Sequence, residues 1–229
     1  MKAPWSDGDW NRVLVYGLGA SGVAATRLLR SRGVAVVGAD RRALDDLGLD
    51  ELTGDPGLEL MVGSELQVLP GAFDGVVVSP GVPLDKPLLR DARRREVPVI
   101  SEIELGFALA DGPIVAITGS NGKSTTTALT GAALRAAGFE VEVCGNIGTP
   151  FTARVDGEPG RTFVVEVSRF QLESVDTFRP RAAALLNLKA DHLDRHLDFA
   201  SYRAAKERIF ARQEGDDVAV LNADDPHVA

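Results

Sequence analysis

This chain has a single cysteine, a deficit of basic residues and no long hydrophobic run. The single Cys144 excludes an internal disulfide and a zinc site built on cysteines, so we expect it to be a small core residue. With 25 basic against 33 acidic residues, the net charge of −8 argues against a nucleic-acid partner. No segment has the length of a transmembrane helix, and the first ten residues hold no signal-peptide core. We therefore expect a cytoplasmic protein without a membrane partner.

The composition is that of a globular protein, with 45% hydrophobic and 25% charged residues. A length of 229 residues allows two domains, each large enough to bury a core. The run Asp111-Gly112-Pro113 should end a helix that starts near Ser101, and we place the boundary there. We expect one domain over residues 1–111, a second over 112–229, and a monomer.

A glycine-rich turn follows an apolar strand at 113–118 and opens a helix, which is the layout of a phosphate-binding loop. Backbone N–H groups would bind phosphate oxygens, Lys123 would add a charge, and Ser124 or Thr125 would offer a hydroxyl to Mg²⁺. The pattern predicts a nucleoside triphosphate ligand. It is shorter than the usual P-loop, whose first glycine would fall on Ile117, so an ordinary turn is the alternative. The predicted loop residues are Gly119, Ser120, Asn121, Gly122, Lys123, Ser124 and Thr125.

A second glycine-rich turn lies nearer the N-terminus, between a strand at 12–17 and a helix that ends at Gly33. It reads Gly17-Leu18-Gly19-Ala20-Ser21-Gly22, the G-x-G-x-x-G pattern in the strand-turn-helix context it requires. The next strand, 34–40, ends on Asp40, where dinucleotide-binding folds place a ribose-binding carboxylate. The motif predicts a pyrophosphate at the helix N-terminus. Because NAD and UDP-sugars both carry a pyrophosphate, both ligands stay open.

Strand and helix patterns alternate along both halves of the chain, which predicts an α/β protein with parallel sheets. Ser79-Pro80-Gly81 follows one strand directly, so this turn is either a ligand-binding segment at the carboxyl edge of a sheet or a plain turn. The helix after the phosphate loop, 124–137, should pack through Leu129, Ala133 and Ala136 or Ala137. Further strands are predicted at 58–62, 75–79, 97–101, 141–145, 162–168, 182–188 and 218–222.

Glu166 stands in the otherwise apolar strand 162–168, and a buried carboxylate needs a partner. Mg²⁺ beside the phosphate loop is one candidate; an ion pair or an exposed edge position is the alternative. Asp191 and His192 follow the next strand and would reach the same edge of the sheet. His192 is accordingly a candidate metal ligand, although a hydrogen-bonded loop histidine would give the same pattern.

Lys206 lies on the apolar face of a predicted helix at 199–212, four residues from both Tyr202 and Phe210. The lysine either extends its amine past the edge of that face into solvent or has a function inside the protein. The pattern alone favours the first interpretation.

Seven segments occur in an order that resembles the Mur ligase family, the ATP-dependent ligases of peptidoglycan synthesis, and most closely its D-glutamate-adding branch. The Phe170-Gln171-Leu172-Glu173 element and the first glycine motif distinguish the chain from the folylpolyglutamate synthases. The seven segments are 17–22, Ser79-Pro80-Gly81, 119–125, Gly145-Asn146-Ile147-Gly148, 166–173, 191–195 and Asn222-Ala223-Asp224-Asp225.

The resemblance implies a Rossmann-like first domain, followed by a P-loop ATPase-like central domain that is incomplete at its C-terminus. The first domain would hold the UDP part of UDP-N-acetylmuramoyl-L-alanine on residues 17–22, with Asp40 or Arg41 near the uracil and Ser79, Pro80 and Gly81 at the ligand. MgATP would bind at 119–125. The implied substrate contacts in the central domain are Asn146 and Ser168, the implied metal ligands are Ser124, Glu166, His192 and a carbamylated Lys206, and the implied catalytic residues are Lys123, His192 and Lys206.

The implied reaction is ATP-driven amide formation, in which an acyl phosphate of the alanyl carboxylate is attacked by the amine of D-glutamate. Arg169 and Lys189 depart from the family pattern, which usually has a serine at the first position and a small hydroxyl residue at the second. The resemblance also implies a third, C-terminal domain that this sequence does not contain, so we expect a truncated ligase. A non-catalytic nucleotide-binding fragment and an NAD-dependent dehydrogenase are the alternatives.

Overall fold

The computed structural model describes residues 10–49, 52, 54–155, 157–189 and 199–229. Within these residues the chain forms two five-stranded sheets in succession, and all strand pairs are parallel. The α/β class predicted from alternating patterns is confirmed. No helix of this part of the chain combines the length and the apolar character needed to cross a bilayer.

The first sheet has the strand order β3-β2-β1-β4-β5. Its central strand β1 therefore has β2 on one side and β4 on the other, and the chain reverses its direction of progress across the sheet at this point. Ligands of open parallel sheets bind at such a reversal, outside the carboxyl ends of the strands. The elements are β1 (Arg12–Tyr16), α1 (Ala20–Ser31), β2 (Ala35–Asp40), β3 (Leu58–Val62), β4 (Gly75–Val78), α2 (Pro87–Arg94) and β5 (Val99–Ser101), with a 3-10 turn at Leu44–Asp46.

The second sheet has the order β10-β9-β6-β8-β7, with β6 at its centre. Ile117 near the end of β6 is in register with Glu166 on β8 and Ala184 on β9, so the loops after these strands meet at one edge. The elements are β6 (Ile114–Thr118), α4 (Lys123–Ala136), β7 (Val141–Gly145), β8 (Thr162–Glu166), α5 (Arg169–Leu172), β9 (Ala182–Leu185), α6 (Phe199–Glu207) and β10 (Val218–Leu221), with 3-10 turns at Phe151–Arg154 and Arg208–Phe210.

One helix, α3 (Glu102–Leu109), connects the two sheets and packs in both cores. Ile103 belongs to the core of the second sheet, whereas Leu105 belongs to the core of the first. Leu28 of α1 also packs in the second core. The two sheets therefore share apolar residues across their junction.

Two fully buried carboxylates of α3 bind backbone of the second half. Glu102 accepts hydrogen bonds from the N–H and the hydroxyl of Thr152, at 2.7 and 2.8 Å. Glu104 accepts the N–H groups of Asp176, Thr177 and Phe178, at 2.9, 2.7 and 3.2 Å. Burial raises the pKa of Glu102, although the hydrogen bonds from Thr152 act in the opposite direction. These contacts add a polar connection to the shared apolar packing.

The predicted apolar face of the helix after the phosphate loop is wrong. Leu129 is 67% exposed, and α4 instead buries Thr127 and Gly131. A Cβ atom at Gly131 would stand 2.3 Å from Cγ2 of Val143, so the helix approaches β7 more closely than a larger side chain allows. Close packing of small residues thus determines the orientation of this helix.

Several predicted boundaries differ from those observed. The strand predicted at 162–168 ends at Glu166, because Ser168 caps α5 in a reciprocal arrangement with Gln171. The strand predicted at 182–188 ends at Leu185. The helix predicted at 199–212 ends at Glu207 and continues as a 3-10 turn. The remaining predicted strands are present within a residue or two of their expected bounds. Cys144 is fully buried, as expected.

Candidate nucleotide and substrate site

A cavity of about 550 Å³ lies at the carboxyl edge of the first sheet and extends to loops of the second half. The structure brings together here most residues predicted to bind the UDP substrate. Those lining the cavity are Gly17, Gly19, Ala20, Ser21, Asp40, Arg41, Ser79, Pro80, Gly81 and Asn146. Leu18, Gly22 and Ser168 are the predicted substrate residues that are not part of its lining.

The first glycine loop is fixed by its own backbone and by neighbouring strand ends. The N–H of Leu18 donates to Asp40 Oδ2 at 2.8 Å, and the Ser79 hydroxyl donates to the carbonyl of Gly17 at 2.6 Å. A Cβ atom at Gly22 would stand 1.9 Å from that same carbonyl, so Gly22 serves close packing. Helix α1 begins at Ala20 without a side-chain cap, which leaves N–H groups of its first turn open to an anion.

Asp40 is nearly buried and binds Arg42 through both carboxylate oxygens. Arg42 donates from Nε to Oδ1 at 3.0 Å and from Nη2 to Oδ2 at 2.8 Å. Burial opposes ionisation of Asp40, but the hydrogen bonds from Arg42 and Leu18 and the Arg42 charge outweigh it and lower the pKa to about 2. Asp40 is thus ionised, and it organises the loop and Arg42. Arg41 lines the cavity beside it.

Sequence reasoning missed part of the cavity. Lys86 pairs with Glu65 at 2.5 Å, and the Tyr16 hydroxyl lies 3.4 Å from the same carboxylate. Burial, followed by the Glu65 charge, raises the pKa of Tyr16 to about 12. The position of Tyr16 at the end of a strand was a usable signal, but nothing in the sequence links Glu65 to Lys86. From the second half, Gly145, Gly148, Pro150 and Gln171 also line the cavity.

The second glycine loop is held by an asparagine that sequence reasoning did not select. The carbonyl of Asn187 accepts the N–H of Ser120 at 2.9 Å, and its side chain pairs with the backbone of Asn121 at 2.8 and 3.0 Å. Two of the predicted phosphate-binding N–H groups are therefore already bonded. Helix α4 begins at Lys123, directly after Gly122. The backbone N–H groups of its first turn have no acceptor within the helix. This end of α4 is the part of the loop suited to an anion.

Three side chains of the phosphate loop complete this end of the site. Lys123 Nζ donates to the carbonyl of Ser120 at 2.9 Å, so the lysine folds back over its own loop. The side chains of Ser124 and Thr125 are exposed at the start of the helix, where a hydroxyl remains accessible to a ligand.

Glu166 lies at the end of β8, an interior strand, and is only 2% exposed. Asn146 donates to its Oε1 at 2.8 Å, whereas Oε2 is buried without a hydrogen-bond partner in the part of the chain that the structure describes. The exposed-edge alternative is wrong, and no ion pair to Glu166 occurs among the described residues. A buried carboxylate oxygen without a partner is suited to a hard cation such as Mg²⁺.

The predicted metal ligand His192 and its neighbour Asp191 lie outside the described residues. Among the residues that are described, no group of three or more His, Cys, Asp or Glu side chains is arranged to hold a metal ion. Among the described residues, a metal at this edge would therefore depend on Glu166 and on hydroxyl groups.

Lys206 is 2% exposed and points to the phosphate loop rather than to solvent. Its Nζ donates to the carbonyl of Gly119 at 2.8 Å and lies 3.4 Å from the hydroxyl of Thr118. Burial, followed by the charges of Lys123 and Arg169, lowers the pKa of Lys206 to about 7. The interpretation that the amine reaches solvent is wrong. A substantial fraction of this amine is neutral near neutral pH, which is the nucleophilic form.

Arg169 and Lys189 occupy different positions relative to this centre. Arg169 is 8% exposed and stacks on the ring of Phe170, with Cζ 4.3 Å from the ring centroid. Lys189 is exposed, and its backbone N–H donates to the Ser120 hydroxyl at 2.9 Å. Only Arg169 introduces a charge into the interior of the site.

Comparison with known families gives two matches that together extend over most of the chain. Residues 117–229 match the Mur ligase middle domain, and residues 11–101 match the MurD-like N-terminal domain of Mur ligases. The segment 11–101 contains the first sheet, and the segment 117–229 contains the second sheet apart from the start of β6.

Curated relatives carry the name UDP-N-acetylmuramoylalanine--D-glutamate ligase. The protein of Anaeromyxobacter dehalogenans is 51% identical over 230 residues, covering 99% of this chain and 49% of its own length. That of Acidobacterium capsulatum is 48% identical over 216 residues, covering 93% and 47%. The chain thus spans about half the length of the curated relatives it matches.

Solved structures share the fold at low identity. UDP-N-acetylmuramate:L-alanyl-gamma-D-glutamyl-meso-diaminopimelate ligase from Neisseria meningitides is 18% identical, with a TM-score of 0.61 over 95% of this chain and 72% of its own. UDP-N-acetylmuramate-alanine ligase from Thermotoga maritima is 22% identical, with a TM-score of 0.57 over 95% and 50%. Both matched domains are domains of Mur ligases, and the chain therefore belongs to the Mur ligase family.

Proposed function

We propose that this chain provides the UDP-substrate and ATP sites of a ligase that joins D-glutamate to UDP-N-acetylmuramoyl-L-alanine. The observation that carries the proposal is Lys206, a buried amine bonded to the phosphate loop with its pKa lowered to about 7. The name of the relatives at 48% and 51% identity supports the choice of substrates. An NAD-dependent dehydrogenase would have no use for a second sheet built around a phosphate loop.

In this proposal the cavity of the first sheet holds the UDP-sugar. The pyrophosphate would lie at the start of α1, against the loop 17–22, where N–H groups are open and the helix dipole favours an anion. Arg41 and Arg42 line the same cavity and would face the nucleoside side of the ligand. The alanyl carboxylate would then extend past Asn146 towards Glu166 and the phosphate loop.

The second sheet would bind ATP through residues 119–125. Lys123 would exchange the Ser120 carbonyl for phosphate oxygens, and the first turn of α4 would donate N–H groups to them. Glu166 and Ser124 would hold Mg²⁺, with His192 and a carbamylated Lys206 as further ligands. When bound, Mg²⁺ would neutralise part of the charge on the phosphoryl group that is transferred.

The residues of the site have defined tasks in the reaction. The alanyl carboxylate attacks the γ-phosphorus, the bond to the bridging oxygen breaks, and ADP leaves. Both reactants are anions, so Lys123 lowers their repulsion while the loop keeps attacking and leaving oxygens in line. The amine of D-glutamate then attacks the acyl phosphate, loses a proton and displaces phosphate, which leaves the amide.

Calorimetric titration of the 229-residue chain tests the two binding sites separately. We expect binding of UDP-N-acetylmuramoyl-L-alanine and of MgATP, and no binding of NADH. Lys123→Ala should weaken MgATP about 30-fold, because it removes charge-assisted contacts to phosphate, and leave the UDP ligand unaffected. Ser79→Ala, which releases the carbonyl of Gly17, should weaken only the UDP ligand, by about fivefold.

NADH binding without a response to the UDP ligand would contradict the proposal and support the dehydrogenase. Binding of both nucleotides without phosphate release, in a chain that extends over the full length of the relatives, would favour a non-catalytic nucleotide-binding protein. Phosphate release in such a chain should require ATP, the UDP substrate and D-glutamate together. Release that does not depend on D-glutamate would exclude this amino acid as the substrate.

A further inference from the structure

Arg169 is a buried cation, and one of its hydrogen-bond donors has no partner in the described part of the chain. It begins α5 directly after the capping residue Ser168, so its backbone is fixed. The side chain is 8% exposed, and Nη1 is enclosed without a hydrogen-bond partner among the described residues. A buried guanidinium N–H that donates to nothing is costly, which makes this donor a candidate for a ligand or a modified side chain.

Aromatic rings hold the guanidinium in place. Its Cζ lies 4.3 Å from the ring centroid of Phe170 and 5.8 Å from that of Tyr202. The Tyr202 hydroxyl lies 2.7 Å from that of Ser120, which ties the second ring to the phosphate loop. Stacking covers the face of a guanidinium and leaves its N–H edge free to bind an anion.

Lys206 lies over the same ring, with Nζ 5.1 Å from the centroid of Tyr202. The cationic groups of Arg169 and Lys206 therefore both lie near the ring of Tyr202. Lys123 adds a third cation at the phosphate loop. The carboxylate in this region, Glu166, already accepts Asn146 through Oε1. The described part of the site thus has more buried positive than negative charge and would gain from an anion between Arg169 and Lys206.

We propose that Arg169 is a positioning residue whose Nη1 donates a hydrogen bond to a carbamate formed on Lys206. This inference rests on the proposed function, in which Lys206 is carbamylated. The neutral amine attacks the carbon of CO₂, a C–N bond forms, one C=O electron pair moves to oxygen, and the nitrogen gives a proton to water. The amine becomes a carboxylate-like anion, and the excess of positive charge is reduced by up to two units where the lysine was protonated.

Titration of the 229-residue chain with ¹³C-bicarbonate, followed by the carbamate carbonyl resonance in NMR, tests this directly. Lys206→Arg should abolish the resonance and so assign it. Arg169→Met should raise the bicarbonate concentration at half occupancy about tenfold, because a charge-assisted hydrogen bond is lost. Arg169→Lys keeps a cation and should restore most of the affinity. Phe170→Leu removes the stacked ring and should raise the midpoint about threefold.

MgATP affinity, measured on the same samples, separates this inference from the proposed function. At bicarbonate concentrations that saturate the carbamate in both proteins, we expect it to change less than about twofold in Arg169→Met, since no phosphate contact is assigned to Arg169. Absence of MgATP binding in the unmodified chain would overturn the proposed function, whatever the carbamate result. No carbamate in the unmodified chain, or equal bicarbonate midpoints in the unmodified chain, Arg169→Met and Phe170→Leu, would overturn the role of Arg169. A loss of MgATP affinity at an unchanged midpoint would overturn it too and assign Arg169 to the phosphate.

Discussion

The two glycine loops occupy equivalent positions, because each follows the central strand of its sheet and opens a helix. Their glycines serve different physical needs. Gly22 of the first loop is required for space, since a Cβ atom would stand 1.9 Å from the carbonyl of Gly17. Gly122 of the second loop is required for its backbone conformation, with φ of +80° and ample room for a Cβ atom. The last glycine of the motif thus serves close packing in the first loop and a left-handed backbone in the second, although Gly17 of the first loop also has a positive φ, of +91°.

The anchors of the loops differ as well. A buried carboxylate, Asp40, holds the first loop and is itself held by Arg42. A neutral amide, Asn187, holds the second. Charge at the base of one loop and its absence at the other predict different responses to pH and to substitution.

Gly22→Ala should have the largest effect. The added methyl group overlaps the Gly17 carbonyl, so we expect a loss of about 3 kcal/mol in the free energy of unfolding and loss of UDP-ligand binding. Gly19→Ala is the matched control, since a Cβ atom there meets nothing within 4 Å, and it should cost less than about 1 kcal/mol. Urea unfolding measures both. Equal effects would show that packing does not distinguish these glycines.

Asp40→Asn should lower the free energy of unfolding by about 2 kcal/mol at pH 7, because Arg42 and Leu18 lose an ionised acceptor. The pKa of Asp40 in the folded chain, about 2, is below its usual 3.8. Its contribution is therefore present above pH 3.8 and lost as the pH falls towards 2. The difference between the unmodified chain and the variant should shrink over that window in urea unfolding curves. A difference that stays constant there would exclude the charge as its cause.

Gly122→Ala should cost about 1 to 2 kcal/mol, since a residue with a Cβ atom is strained at positive φ. Gly122→Asn should cost less, because asparagine tolerates the left-handed region better than alanine. Thermal unfolding of the two variants gives the comparison. If alanine and asparagine cost the same, the effect does not come from backbone conformation.

Asn187→Ala should have the smallest effect on stability, about 1 kcal/mol, with a decrease of about fivefold in MgATP affinity. The variant loses the side-chain bonds to Asn121 but keeps the backbone bond to Ser120. Asn222→Ala serves as control, since Asn222 donates to the carbonyl of Leu186 and not to the loop. Calorimetry should show a change in affinity only for the first variant; a matching change in the control would indicate a general loosening of this edge.

The sequence was sufficient for features that depend on neighbouring residues. Strand patterns located all strands of both sheets, and the glycine spacing located both loops, because turn chemistry and side-chain period are local properties. The unusual residues Glu166 and Lys206 also stood out, since each interrupts an apolar pattern. Lys206 is buried beside the phosphate loop, and Glu166 is buried at the end of β8, the strand that pairs with β6.

The features that sequence reasoning missed depend on long-range packing. Leu129 was assigned to the apolar face of α4, but the fit of Gly131 against β7 decides which side of the helix is buried. The pairing of Glu65 with Lys86 and the anchoring of Asn121 by Asn187 join residues that are distant in the chain. Arg42, which was not selected from the sequence, binds Asp40, and only the turn geometry decides which of the two adjacent arginines reaches this carboxylate.

Helix α3 has a consequence for how the protein unfolds. Its side chains complete both cores, and its carboxylates supply acceptors for backbone of the second half. A fragment that ends at residue 111 would carry Glu102 and Glu104 without these donors, and one that begins at 112 would lack their acceptors. Neither sheet can therefore melt without weakening the other, and the two-sheet chain should unfold as one cooperative unit with a single calorimetric transition.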